Sequence, residues 1–568
     1  MLSYKPFKGG SRRPKYSITM LPRNLLKRGS RREMHSPVMP ILRKQTDNGL
    51  KNIAEEELYQ YTRYRWLYNE PEQLANRYRR FDIPSLVNVS VNAVGCVELV
   101  KCFEGQYNKA MFLKMDNRAV VVAKLPHPNA GPAFYTTASE VATRKFLRGA
   151  LSFPIPRVLA FSVDVDNPVG AEYIIEEKAE GEPLEKFWHQ WGLESKLELV
   201  SQLVDLETKL SALTFQEHGC IYFKKDLEEK GILASAMLGD YSSKYTSAPI
   251  GFSFDEFAIG PLTEPKLWQG ERALMKLHRG PWSDPLSYMR AIGENELKWM
   301  ALHGKAQTKP YDILGHLENG EYPLLLQAYL RTLPKLATGP FPTSLSHPDL
   351  SPNNIFVDPH TKKITCITGW QSASVSEPFF QCKLPSMLVP TNRRYTEPQK
   401  DATESRNRRI ATCLVAHYQK ISSIKNAKHW SAVNIRNRSL LYDPVSLVTG
   451  ALGRNDIFPL QRAMSDIIAQ WDQITPAPQP HSVFLSKSER KFLIDQGKIH
   501  DLVVRCSQEY HDRGDILKGG MVRPGKFYTA ALQQCRRDQR MFLEMADSEA
   551  MKNWFRRLWR HIFQREMK

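Results

Sequence analysis

The chain has no run of about 18 consecutive apolar residues, so no membrane-spanning helix is expected. It has no CxxC pair among its eight scattered cysteines. Zinc and disulfide frameworks need recurrent close spacing, so these cysteines read as reduced, mostly buried thiols in a reducing compartment. No internal repeat and no long low-complexity tract is visible, which excludes a solenoid or a tail-dominated chain. No acidic residue precedes Glu33.

That last absence is the more informative because of what stands there instead. Residues 1–32 carry ten Lys or Arg of a chain whose net charge is +19. An Arg-rich, acid-poor, Ser-containing segment without a secretory apolar core reads as a mitochondrial presequence. A disordered basic tail is the alternative. The basic balance does not argue for nucleic acid, since no zinc, helix-turn-helix or RNA-binding signature accompanies it. Hydrophobic residues make up 42% and charged residues 24%, ordinary for a globular protein with a sizeable core.

The expected organisation has five parts. Residues 1–50 are a presequence or disordered basic segment, and 51–95 a helical extension that Pro71 divides. Residues 96–178 form a small lobe. In it CVELVKCFEG, KAMFLKM and AVVVAKLP read as three antiparallel strands, followed by a helix at 136–149 and two more strands. Residues 179–490 form a mainly helical lobe, with Leu197, Val200, Leu203, Val204 and Leu210 at helical spacing. Residues 491–568 are a helical extension. In its last helix Trp554, Leu558 and Ile562 recur every fourth residue, as do Phe555, Trp559 and Phe563. Such a basic amphipathic helix either docks on the large lobe or makes a peripheral contact with an anionic membrane. The predicted fold class is α+β and bilobal.

The chemistry concentrates in SHPDLSPNNIFVDPHTKKITCITGW, which holds His347, Asp349 and Asn354 in the pattern H-x-D-x-x-x-x-N ahead of a β-hairpin. Phosphoryl transfer needs these types. Asp349 would orient an acceptor hydroxyl and take its proton. Asn354 would reach a magnesium ion on a triphosphate, and His347 would brace the loop more than react. In the small lobe, Lys124 ends a strand and Glu140 lies on the next helix, a pairing suited to the α and β phosphates. The loop around Gly105 would cover the phosphates. Glu176, Glu177 and Lys178 would lie at the hinge, where the backbone can receive an adenine ring.

With those residues in view, the sequence resembles the aminoglycoside-phosphotransferase superfamily. More narrowly it is similar to the fungal mitochondrial branch named for altered inheritance of mitochondria protein 9. The segments that carry the resemblance are YTRYRWLYNEPEQLANRYRRFD, VVAKLPHP, ASEVATRKFLR, GCIYFKKDL, WQGERALMKLHRGPW, SHPDLSPNNIFVD and ITGWQSASV. The resemblance implies a protein-kinase-like fold, ATP and magnesium as ligands, an unnamed small acceptor and a mitochondrial address. One departure stands out. Family members place a magnesium-binding Asp where this chain has Gly369, and the neutral Asn354 cannot supply its charge. Two readings therefore stay open: a phosphotransferase with impaired activity, and a nucleotide-binding or scaffolding pseudoenzyme. Fold alone decides neither.

Overall fold

The structure is a computed structural model. It describes residues 39–564 except 47, 91–95, 103, 233–234, 236–251, 304–320, 337–342, 382, 389–401, 436–437, 451–456, 479–486 and 547. The expected presequence lies outside the described residues. Among the described residues, no helix is long and apolar enough to cross a membrane.

The small lobe is built on a seven-stranded sheet. Its centre is the expected meander: Cys96–Lys101, Asn108–Met115 and Val120–Pro126, paired antiparallel. Tyr173–Glu177 adds beside Val120–Pro126, and Val158–Ser162 forms the edge. Side chains along Asn108–Met115 alternate between half-buried and buried. Lys109, Met111, Leu113 and Met115 therefore share one face, and Asn108, Ala110 and Phe112 the other. Ala110 pairs with Lys124, so Lys124 is on the face of Asn108. The helix Tyr135–Leu151 follows the meander, with Val141, Ala142, Phe146 and Leu147 in the core.

Two expectations fail at the amino end. Residues 41–50, expected to be processed or disordered, contribute to two strands of the sheet. Ile41–Thr46 runs parallel to Cys96–Lys101 and forms a hairpin with Gly49–Asn52. The expected helical extension is also mostly not helical. It holds the short helices Glu56–Tyr59 and Glu70–Ala75, the two-residue strand Arg65–Trp66 and the helix Ile83–Ser90. Pro71 sits in the first turn of its helix, where its missing N–H costs nothing, and so starts a helix instead of dividing one. Burial explains the rest. Leu58, Tyr59, Phe81, Ile83 and Leu86 cover the outer face of the sheet with Met111 and Leu113. Tyr61 and Trp66 pack elsewhere, against Met521. One helix axis cannot serve both surfaces.

The large lobe is mainly helical. Leu193–Ser211 packs with Ala402–Lys425 through Leu199, Val200, Leu203, Leu414 and Tyr418. A second cluster joins Pro285–His303, Glu321–Leu336, Arg438–Val448 and Phe458–Ala469. The hairpin Ile355–Val357 and Ile364–Ile367 is extended by Glu182–Pro183. The last helices, Lys487–Arg513, Lys526–Glu544 and Glu549–Gln564, share a core with Leu67 and Tyr68 of the amino-terminal segment. All six apolar residues noted in the final helix are buried there. The helix thus docks within the chain, on this three-helix unit, and its Trp554 ring also meets Phe458 of the large lobe at 6.4 Å. Full burial of each large side chain contributes roughly 1.5–3 kcal/mol.

Candidate active site

The loop of residues 347–354 enters the hairpin directly. His347 Nε2 donates to the Thr368 carbonyl at 2.8 Å, and its Nδ1 accepts from the Asp349 N–H at 3.1 Å. That arrangement uses the neutral ring. Burial pushes the His347 pKa down to about 4, and the ring packs edge-on to Trp370. His347 is thereby a brace between the two strands of the site. Asp349 is exposed. The Asn354 amide donates to the Asp349 carbonyl at 2.9 Å and to its carboxylate at 3.1 Å. Ser351 also donates to that carboxylate, at 3.2 Å.

Gly369 lies opposite, at φ 86°, a conformation that side chains rarely adopt. A β-carbon there would stand 2.7 Å from the Asn354 amide carbon and oxygen. The gap that an added carboxylate would need is therefore filled. Glu377, the nearest acid in sequence, is buried and held by His218 Nδ1 at 3.0 Å. Among the described residues, no cluster of three His, Cys, Asp or Glu could hold a metal. The donor set that faces Asn354 has one charged oxygen group, Asp349, and does not fit magnesium as the family resemblance requires.

On the small lobe, Lys124 Nζ meets Glu140 Oε1 at 2.6 Å. The ionic chain continues, since Arg144 lies 3.6 Å from Glu140 and 2.5 Å from Glu176. Glu176 is thus engaged by a buried arginine, and Glu177 pairs with Arg157 at 2.8 Å. The Lys178 ammonium lies 5.8 Å from the Phe112 ring. Gly105 donates its N–H to the Asn108 carbonyl at 3.2 Å. A β-carbon on Gly105 would make only ordinary contact, 3.7 Å from that oxygen, so the loop's shape does not depend on glycine.

The lobes also meet beside Gly369. The Asn108 amide donates to Gln371, two residues after Gly369, and Gln371 Nε2 donates to the Ala130 carbonyl at 2.9 Å. Asn108 and Lys124 share a sheet face, so the face bearing Lys124 is turned to the segment that packs on Asn354. Sequence reading placed Asn108 in the loop after Gly105 and Gln371 in the segment ITGWQSASV, but gave neither a role, because the two meet only in the fold.

It also missed a cavity of about 480 Å³ on the other side of Asp349. Ser346, Leu350, Phe379, Lys383, Lys428 and Ile435 are among its lining residues. Glu207 and His429 also line it, and the buried Tyr418 donates to Glu207 at 2.8 Å and lies 2.8 Å from His429 Nε2. Burial pushes the Glu207 pKa up to about 7.

A strand lysine bonded to a helix glutamate, a His-Asp-Asn loop and a following hairpin define a protein-kinase-like fold. No family model matches the chain. It is similar to a subtelomeric hrmA-associated cluster protein of Aspergillus fumigatus, 32% identical over 325 residues, or 51% of this chain and 60% of the relative. It is also similar to altered inheritance of mitochondria protein 9, mitochondrial, of Yarrowia lipolytica, at 24% identity over 53% of this chain and 55% of the relative. The Saccharomyces cerevisiae protein of that name is likewise 24% identical, over 53% of this chain and 51% of the relative. The chain thus spans between 51% and 60% of the length of these relatives. The resemblance to that branch read from the sequence holds. Among solved structures, a macrolide 2'-phosphotransferase type I aligns at 12% identity and a TM-score of 0.32, over 69% of this chain and 97% of that one. An ADP-bound aminoglycoside phosphotransferase, APH(2'')-Ib, aligns at 13% and 0.34, over 67% and 95%.

Proposed function

We propose that this chain is a mitochondrial, kinase-like nucleotide-binding protein that moves a phosphoryl group from ATP to the hydroxyl of a small acceptor, inefficiently for want of a metal-binding carboxylate. The Lys124–Glu140 pair carries the reading. It sits on the sheet face turned toward Gln371 and the loop of Asp349. Lys124 would hold the α and β phosphates, and Glu140 would keep its ammonium in place. ATP, when bound, supplies the phosphoryl group. Asp349 would accept the acceptor's proton, with the acceptor in the neighbouring cavity. His347 keeps the loop in register through Thr368. No step is assigned to magnesium, because the donors present do not fit it. The mitochondrial address rests on the names of the relatives and on the basic segment 1–32.

The second reading, a pseudoenzyme that binds nucleotide without turnover, is favoured by one observation: the Asn354 amide occupies the space a side chain at Gly369 would take. Calorimetric titration of the full chain with ATP, in magnesium and in chelator, tests both. Binding with little metal dependence and slow ATP consumption that Asp349→Asn abolishes supports the first. Binding with no consumption above that variant leaves the second. No binding in either buffer sinks both.

A further inference from the structure

Glu104 stands in the phosphate loop and is 1% exposed. Its carboxylate accepts from Lys109 Nζ at 2.7 Å and from the Thr62 N–H at 3.1 Å, and lies 3.2 Å from Lys101 Nζ. The two lysines are committed elsewhere as well. Lys101 donates to the Glu57 and Gln60 carbonyls at 2.7 and 2.5 Å, and Lys109 to the Tyr59 carbonyl at 3.1 Å. Buried charges persist only when paired and hydrogen-bonded, and this knot meets that condition from two sides. The Glu104 carbonyl completes it by accepting from Arg63 Nη1 at 2.9 Å.

The segment that ties down Glu104 is itself tied to the carboxyl end. Arg65–Trp66 pairs antiparallel with Met521–Val522. The Leu67 N–H donates to the Gly520 carbonyl at 3.1 Å, and the Arg65 guanidinium lies over the Tyr528 ring at 3.8 Å. Met521 then returns to the loop, where its sulfur lies 3.8 Å from Gln106 Nε2.

We propose that Glu104 is the positioning residue of the phosphate loop, and that through it both ends of the chain hold the loop in its nucleotide-receiving shape. The proposal rests on the nucleotide reading above. A loop whose one glycine adopts no left-handed conformation must take its shape from side chains. A preformed loop binds phosphate without the ordering entropy a slack one would lose. Glu104 touches no phosphate in this scheme; it acts by fixing the backbone on either side of Gly105.

The test uses the full chain with Arg63→Ala, Arg63→Lys, Glu104→Gln and Gly520→Ala. A β-carbon at Gly520 would stand 2.6 Å from the Phe563 carbonyl oxygen, so the last variant pushes the final helix off its seat. Amide exchange of residues 102–108 is read without nucleotide, and the affinity of a fluorescent ATP analogue separately. Arg63→Ala, Glu104→Gln and Gly520→Ala should each speed exchange at 102–108 about tenfold, with 109–126 unchanged, and weaken the analogue by about tenfold. Arg63→Lys, which keeps a donor for the Glu104 carbonyl, should restore both. If Glu104→Gln does not fold, Arg63→Ala decides, since its side chain is only half-buried. Unchanged exchange in Arg63→Ala overturns the proposal. Unchanged exchange in Gly520→Ala overturns the part assigned to the carboxyl end. Faster exchange in a protein that never binds the analogue upholds the positioning role and removes the nucleotide reading instead.

Discussion

Asn354 and Gly369 are mutually exclusive in side chain: the amide of the first fills the place where a β-carbon of the second would stand, 2.7 Å away. Restoring a carboxylate by Gly369→Asp therefore has to move Asn354 off Asp349 and hold an L residue at φ 86°. The cost is about 1–3 kcal/mol for the backbone alone. Gly369→Ala should lose nearly as much in a denaturation experiment, since the β-carbon is the common cause. Magnesium-dependent tightening of ATP in Gly369→Asp, with stability intact, would show that Asn354 yields easily.

The salt bridge of Lys124 with Glu140 is half-buried on one side and buried on the other. Lys124→Met keeps the aliphatic stem and removes the charge. Nucleotide affinity should fall about tenfold or more, ~1.4 kcal/mol for each tenfold, and the melting temperature should fall too, since the buried Glu140 keeps only Arg144, at 3.6 Å. An unaltered affinity would remove the pair from the nucleotide site.

His347 is held neutral, with its pKa lowered by burial from 6.5 to about 4. Protonation is easier in the unfolded chain. Its contribution to stability is present above about pH 6.5 and is lost as pH falls toward 4. His347→Gln should therefore flatten the pH dependence of stability in that window while lowering stability at neutral pH by about 1–2 kcal/mol, the value of one hydrogen bond left unmade. Parallel acid limbs for the two proteins would contradict this.

Glu207 shows the opposite sign. Burial raises its pKa from 4.5 to about 7. The folded state favours the protonated acid, so stability present below 4.5 is lost as pH rises through 7. Glu207→Gln keeps an acceptor for Tyr418 and cannot ionise. It should stabilise the protein by about 1–3 kcal/mol at pH 8 and by little at pH 5. Thermal melts at the two pH values check it, and equal effects at both would refute the sign.

The parts of the fold legible in the sequence were those with local causes. The meander announced itself by runs rich in Val, Phe and Leu set between turn signals such as Asp116-Asn117. The loop of His347, Asp349 and Asn354 was legible because its residues and its hairpin are contiguous, and Lys124 with Glu140 because strand and helix adjoin. The amino-terminal segment was not legible, because Tyr59, Tyr61 and Trp66 are buried by partners far along the chain. Arg65–Trp66 has no strand signal of its own; it is a strand because Met521–Val522 lies beside it. Glu104 looked like a turn residue before Gly105. A signal did exist: Lys101 is buried and Lys109 shares the face of Met111 and Leu113, and charges on a core face call for a buried partner. Glu207 lacked even that, since its partner Tyr418 comes from another helix.

Gln106 and Met521 meet although 415 residues separate them in sequence. Contacts of such separation form late, after the entropy of closing the intervening chain has been overcome. During synthesis the meander strands and the helix of Glu140 can assemble early, from neighbouring residues. The strap over the loop of Gln106 cannot, because its second strand is made some 415 residues after that loop. A chain broken off before residue 520 would carry every residue of the catalytic motif and still lack the finished loop. The closing strand thus works as a checkpoint: only a polypeptide that extends past Val522 acquires the strap.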